Sequence, residues 1–215
     1  MKPKDLKIPF TWDERHPLLT GNLFYVPEFC TKTFTLPPLK ELFVNNYPIS
    51  IEYCSGNGEW IAHKAKAHPD RNWIAVEKQF PRVRKIWSKS QNYKLNNLFV
   101  VCGLAQDFTH YLTTPCIDTF YVNFPDPWPK NRHAKHRLIQ APFIDMLTRA
   151  ALPGAQAEFV TDDLPYAEQM LTVMSDHLSW NPQMHILDES HGPSFFDRLW
   201  RDKNRAIHKV TSTYA

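Results

Sequence analysis

Short runs of β-branched and aromatic residues alternate along the chain with stretches whose apolar positions recur every three or four residues. The runs are Pro48–Cys54, Asn72–Glu77, Asn97–Cys102, Ile117–Phe124 and Ala157–Thr161. Helical spacing predicts helices near 58–67, 79–91, 138–151 and 165–178. In the third, Phe143, Ile144, Leu147 and Ala151 share a face, and Pro153-Gly154 ends it. In the fourth, Ala167, Met170, Leu171, Met174 and Leu178 share a face, with Pro165 in the first turn. Such alternation predicts an α/β fold, a mostly parallel central sheet with helices on both faces. Ligands of such sheets bind beyond the carboxyl ends of the strands, so the loops after 54, 77, 102, 124 and 161 are where chemistry is expected. Residues 1–45 lack this periodicity. Rich in proline and aromatics (Trp12, Phe24, Tyr25, Phe29, Phe34), they read as an irregular leader that packs on the core or partly folds over a site, ahead of one domain over 46–215.

Only six glycines stand against 18 prolines, yet two of the six, Gly56 and Gly58, sit in the first of these loops. A strand, a glycine turn and a helix let backbone approach a nucleotide. The dinucleotide fingerprint wants a small residue where Ile61 stands, which counts against a nicotinamide cofactor. Glu52, near the end of the first run, has no phosphate to repel if the ligand is a sulfonium nucleoside. A plain strand–turn–helix connection fits this loop equally well. Glu77 ends the second run, where an acid accepts hydrogen bonds from ribose hydroxyls. The alternative is a surface glutamate paired with Lys78 or a nearby arginine.

The fourth loop is the most specific. In Phe124-Pro125-Asp126-Pro127-Trp128-Pro129-Lys130, three prolines stiffen the chain around one acid, and Arg132, Lys135 and Arg137 follow. A rigid carboxylate beside cations suits a site that holds a base next to its phosphates. Lys78, Arg82, Arg84, Lys85, Lys89 and Lys94, interleaved with Phe80, Trp87 and Tyr93, form a second basic strip able to track a nucleic-acid backbone. The net charge of +3 conceals a segregation. From Ala150 to Asp197 there are eight acids and no lysine or arginine, which leaves +11 on the remainder. In the fifth loop Asp162 either caps the following helix or points into the cleft.

With 43% hydrophobic and 22% charged residues the chain is globular in composition. No apolar run suits a membrane span and no apolar signal core opens the chain, so a cytoplasmic protein without membrane association is expected. Four scattered cysteines (Cys30, Cys54, Cys102, Cys116) suit a reducing compartment. No spacing around His133 or His136 suggests a metal site, and no metal is expected.

The Glu52–Gly58 ExxxGxG loop, the Phe124–Arg137 block FPDPWPKNRHAKHR, the Thr161–Ala167 block TDDLPYA and Ser194-Phe195-Phe196-Asp197 occur in order. Together they resemble the tRNA (guanine-N7-)-methyltransferases of the bacterial, single-chain type, from about Leu39 to Ile207. The resemblance implies a Rossmann-like, S-adenosylmethionine-dependent enzyme that methylates N7 of guanine-46 in the tRNA variable loop. It implies that Glu52, Gly56, Gly58, Glu77, Leu104 and Ala105 lie at the methyl donor, and that Asp126 is the active-site acid. Lys130, Arg132, Asp162, Ser194 and Asp197 would contact the substrate. It further implies tRNA as partner, no obligate protein partner, and a monomer or weak dimer.

Three positions depart from the family pattern. Cys54 stands where the family usually has glycine. Leu104 stands where an Asp or Asn usually meets the adenine amino group, so that hydrogen bond is missing unless backbone or Asp107 supplies it. Ser194 and Asp197 replace Thr and Glu. Two other readings follow: a catalytically weak or inactive tRNA-binding module with this fold, or a small-molecule methyltransferase, against which the cations beside Asp126 argue. Guanine N7 carries a free lone pair, so methyl transfer to it is an in-line displacement that depends on positioning. The Asp126 carboxylate suits the N1 and amino edge of guanine, a pair of donors. The basic segments, including Arg198, Arg201, Lys203, Arg205 and Lys209, would offset the cost of extruding the base.

Overall fold

The computed structural model describes residues 1–8, 15–28 and 33–215; Trp12, Phe29 and Cys30 lie outside the described residues. The chain forms two compact units, Met1–Leu112 and Thr113–Ala215.

The first unit contains β1 (Leu18–Thr20), β2 (Leu23–Tyr25), α1 (Leu39–Phe43), β3 (Ile49–Tyr53), α2 (Glu59–Ala67), β4 (Asn72–Glu77), α3 (Phe80–Tyr93), β5 (Leu98–Cys102) and α4 (Ala105–Thr109). Its strands lie in the order β1-β2-β5-β4-β3. The β2–β5, β4–β5 and β3–β4 pairs are parallel and β1–β2 is antiparallel. Every residue of β3 and β4 is buried, as expected of parallel strands covered on both faces. The expected strands and helices of this unit are present. The leader contributes β1 and β2, each only three residues long and too short to show a period in the sequence.

Helix α2 begins at Gly58, which adopts a left-handed φ of +69°. A Cβ at Gly58 would lie 2.6 Å from Ile86 Cγ1 of α3, so this glycine sets how closely the two helices approach. The Asn97 side-chain amide donates to the carbonyls of Ala65, His68 and Arg71, closing the end of α2 onto the start of β5.

The second unit contains β6 (Ile117–Asn123), a 3-10 helix over Asn131–His136, α5 (Ala141–Ala150), β7 (Ala151–Thr161), α6 (Leu164–Ser175), β8 (Trp180–Ile186), α7 (Phe195–Asp202) and β9 (His208–Tyr214). Its strand order is β6-β7-β9-β8, with β6–β7 parallel and both β9 pairs antiparallel. Pro153-Gly154 does not terminate a helix. Helix α5 has already ended at Ala150, and β7 begins at once. The proline and glycine fall where the β6–β7 register slips, from Ile117 opposite Ala151 to Thr119 opposite Gln156. Such an irregularity tolerates both residues inside a strand. On α6, Tyr166, Ala167, Met170 and Met174 are buried, whereas Leu178 lies beyond the helix and is 98% exposed.

Gly58→Ala is expected to cost about 2–4 kcal/mol, from the left-handed strain and the overlap with Ile86 together. Urea unfolding checks this, and in an Ile86→Ala background the further cost of Gly58→Ala should shrink to the part due to strain.

Candidate active site

In the first unit the loops after β3 and β4 meet at one carboxylate. Glu77 is 4% exposed; its Oε2 accepts from the Gly56 N–H at 2.9 Å and its Oε1 from the Gln79 N–H at 2.8 Å. The Arg82 guanidinium lies 3.8 Å away. Burial raises the Glu77 pKa above its ordinary 4.5, against the pull of the two backbone N–H groups and Arg82. Glu77 is therefore not a surface residue. It ties two loops together, and each oxygen keeps lone-pair capacity for a hydroxyl donor.

Glu52 is buried on β3, and the Ser55 hydroxyl donates to its carbonyl at 2.8 Å. Gly56 has φ +55° with open space around its Cβ position, the nearest atom being 4.0 Å away, so its backbone is approachable. Gly58, two residues on, also sets the close packing of α2 on α3. Cys54 is exposed at φ +59°, a left-handed position that costs a non-glycine residue roughly 1–2 kcal/mol. Lys89 is half-buried, and its Nζ donates to the Asn57 carbonyl at 2.8 Å, bracing the glycine loop from α3.

Beside these loops is a cavity of about 650 Å³. It is lined by Ile8, Arg15 and Tyr25–Glu28 of the leader, by Lys78–Phe80 after β4, and by Cys102–Leu104 at the end of β5. The leader thus walls a cavity at the strand ends. Burial pushes the Tyr25 hydroxyl and the Cys102 thiol up to about 12, so both are neutral near pH 7. Gly103, which belongs to none of the sequence motifs, donates to the Glu77 carbonyl at 3.1 Å, and a Cβ there would lie 2.8 Å from Val26 Cβ. Leu104 begins α4 and Ala105 is buried. Further along α4, Asp107 has its Oδ2 buried without a hydrogen-bond partner among the described residues, and burial and the Glu28 charge raise its pKa.

In the second unit β6 runs into the proline block. Two non-glycine residues there take left-handed conformations, Phe124 at φ +51° and Trp128 at φ +44°, one on either side of Asp126. Asp126 is exposed, and among the described residues no hydrogen bond or ion pair engages its carboxylate. Lys130, Arg132 and Lys135 are exposed as well. Arg137 behaves differently: it is 8% exposed. Its Nε donates to the Pro127 carbonyl at 2.7 Å and its Nη1 to Gln169 at 2.6 Å, and its guanidinium lies 4.9 Å over the Tyr166 ring. Arg137 clamps the proline block to α6 and is withdrawn from the expected RNA footprint.

Asp163, not Asp162, caps α6, accepting from the Tyr166 N–H at 2.9 Å. Asp162 is left to pair with Arg205, which stacks on Trp200. Ser194 caps α7. Asp197, 1% exposed, accepts from the Ser190 hydroxyl at 2.8 Å, the His191 N–H at 3.4 Å and Arg201 at 3.3 Å. Both side chains expected at the substrate are thus engaged inside their own loop. The His191 ring reaches Asn123 Oδ1 at 2.8 Å, linking this loop to the end of β6. The C-terminal cations are also largely engaged internally: Arg201 with three carbonyls and Asp197, Arg205 with Asp162, and Lys209 with Glu158. On α3, the Arg84 Nε donates to the Leu6 carbonyl, leaving Lys78, Lys85 and Lys94 as the exposed cations of that strip. Among the described residues no His, Cys, Asp and Glu group is suited to a metal, and no helix is long and apolar enough to cross a membrane.

Residues 46–210 match the family model described as a putative methyltransferase. The chain is 46% identical over 213 residues to the tRNA (guanine-N(7)-)-methyltransferase of Chlamydia trachomatis serovar D, covering 96% of this chain and 95% of that protein. The enzyme of the same name from Nitrosospira multiformis is 40% identical over 141 residues, 64% of this chain and 62% of that protein. Among solved structures, the 16S rRNA methyltransferase KamB superposes with a TM-score of 0.66 at 13% identity, covering 85% of this chain and 95% of that one.

Arg137→Lys is expected to cost about 1–3 kcal/mol in urea unfolding, because an ammonium cannot reproduce the forked contacts and leaves Pro127 or Gln169 unpaired. Lys135→Met, a few residues away but exposed, should stay within about 0.5 kcal/mol of the parent.

Proposed function

The chain belongs to the tRNA (guanine-N(7)-)-methyltransferase family, and on that basis we propose that S-adenosylmethionine is its methyl donor and N7 of guanine-46 in the variable loop its target. The observation that carries this reading is Asp126. Among the described residues its carboxylate is unengaged, and it is held between two left-handed residues in a proline-stiffened loop with Lys130, Arg132 and Lys135 following.

The residues of the first unit fit the donor. Glu77 has spare acceptor capacity for the two ribose hydroxyls while its N–H contacts keep it in place. Gly56 offers approachable backbone for the methionine part, and the buried Glu52 adds negative charge favourable to a sulfonium. Ala105 and Leu104 give the adenine an apolar wall. The Leu104 side chain cannot accept from the adenine amino group; Asp107 Oδ2, three residues further on and without a partner among the described residues, is suited to do so. The donor supplies an electrophilic methyl, and no proton has to leave N7 before attack.

Asp126 accepts hydrogen bonds from the N1–H and exocyclic amine of guanine. It thereby fixes the base in plane and opposes the positive charge that grows on the purine as the methyl arrives. Lys130 and Arg132 meet the flanking phosphates, whose neutralisation offsets the few kcal/mol spent in extruding the base. Asp162, held by Arg205, is a second reader of the base. Ser194 and Asp197 contribute by shaping the segment 188–197, which reaches the substrate through its backbone and its exposed Phe195.

Incubation with labelled S-adenosylmethionine and unmodified tRNA should yield borohydride/aniline cleavage in the variable loop, the signature of 7-methylguanosine. Asp126→Asn should lower kcat about 100-fold or more while tRNA affinity changes little. Near-normal turnover by that variant would overturn the role of Asp126, and label on another atom would overturn the N7 assignment.

Protonation of Glu77 removes acceptor capacity for ribose. Because burial raises its pKa, donor affinity should begin to fall with decreasing pH above the 4.5 of an ordinary glutamate. Calorimetric titration of S-adenosylmethionine across pH 4–8 checks this. A Glu77→Gln protein should bind weakly throughout and lose that dependence.

A further inference from the structure

Trp128 stands two residues after Asp126 and is 38% exposed. Trp60, Trp73 and Trp180, in contrast, are 2–5% exposed and packed in the interior. The Trp128 backbone lies at φ +44° between two prolines, which restricts the main chain that carries the ring. Two imidazoles from the following 3-10 helix pack on the indole. His133 meets it edge-on at 5.9 Å and 90°, and His136 lies 5.2 Å away, tilted by 50°. The two imidazole centroids are 6.2 Å apart. These contacts support part of the indole and leave the rest presented to solvent. Lys130, Arg132 and Lys135 are exposed along the same short segment.

An exposed, immobilised aromatic face among cations is what an unstacked nucleotide requires, with the ring meeting the base and the cations meeting its phosphates. We propose that Trp128, supported by His133 and His136, is a stacking platform for the nucleobase next to the target guanine. The inference rests on the tRNA reading above and adds a binding role that the methyl transfer itself does not require. Extruding the guanine strips its neighbour of a stacking partner, and Trp128 supplies a replacement face. The site is selective for an unpaired base, since a base within a duplex has both faces covered. It is tolerant of base identity, since every base has a π-face.

The test compares wild type, Trp128→Leu and Trp128→Phe on intact tRNA and on two tRNAs, each with an abasic residue on one side of the target guanine. Trp128→Leu should raise KM for tRNA about tenfold, leaving KM for the methyl donor within about twofold, and Trp128→Phe should restore most of the loss. One abasic tRNA should be as poor a substrate for wild type as intact tRNA is for Trp128→Leu, with no further loss when the two are combined. Additive losses with both abasic tRNAs, or an unchanged KM in Trp128→Leu, would overturn the proposal. Should Trp128→Leu fail to fold, wild-type indifference to both abasic tRNAs overturns it equally. Absence of any methyl transfer to tRNA by wild type would sink the parent reading and this one with it, whereas transfer with indifference to Trp128 sinks this one alone.

Discussion

A buried carboxylate has to be hydrogen-bonded or it destabilises the fold, and in this protein that requirement shapes the loops at the strand ends. Glu77, almost wholly buried, accepts one backbone N–H from the loop after β3 and one from the loop after β4. The glycine loop is therefore held by the same side chain that is suited to receive the donor's ribose. Asp197 plays the corresponding part in the second unit. Its oxygens collect a hydroxyl, a backbone N–H and a guanidinium, which hold the 188–197 segment in one shape. In each unit a buried carboxylate holds a loop in place through the hydrogen bonds it accepts.

Of the six non-glycine residues with left-handed backbone among the described residues, three lie in the loops that follow β3 and β6, and Val44, Lys94 and Asn204 lie elsewhere. Cys54, Phe124 and Trp128 all adopt left-handed conformations without being glycine. The cost is tolerated because the surroundings determine these positions. Cys54 leads into the loop tied to Glu77. Phe124 donates its N–H to the Val160 carbonyl at 2.8 Å, and the Pro127 carbonyl just before Trp128 is gripped by Arg137. The result is a pre-set Asp126, which suits a reaction whose catalysis consists largely of alignment.

The cations divide into two populations that sequence alone does not separate. Arg137, Arg201, Arg205, Lys89 and Lys209 spend their hydrogen bonds on carbonyls and carboxylates of the chain itself. Lys78, Lys85, Lys94, Lys130, Arg132 and Lys135 face solvent and are left available to an anionic partner. Arginine dominates the first group because its planar fork satisfies several acceptors at once. The electrostatic footprint is accordingly smaller than a count of lysines and arginines suggests.

The local and the chemically specific were legible in the residues alone. Alternating runs and helical spacing located β3 to β6 and α2, α3, α5 and α6 to within a few residues, because burial imposes a period of two or about 3.6 on any chain. The proline block and the order of the motifs carried the resemblance to the family, which the 46% identity to a relative over 96% of the chain bears out. Long-range pairing settled the rest. It joined the three-residue strand β2 to β5, with β1 paired outside it, and put Pro153-Gly154 inside a strand at a register slip. It drew Asp162 to Arg205, away from the cap of α6 that Asp163 supplies. It also separated Gly56, which leaves its backbone open, from Gly58, which keeps Ile86 at van der Waals distance. In each case the outcome turns on a partner distant in the chain, and a local pattern carries no information about which distant group will meet a given donor, acceptor or methyl.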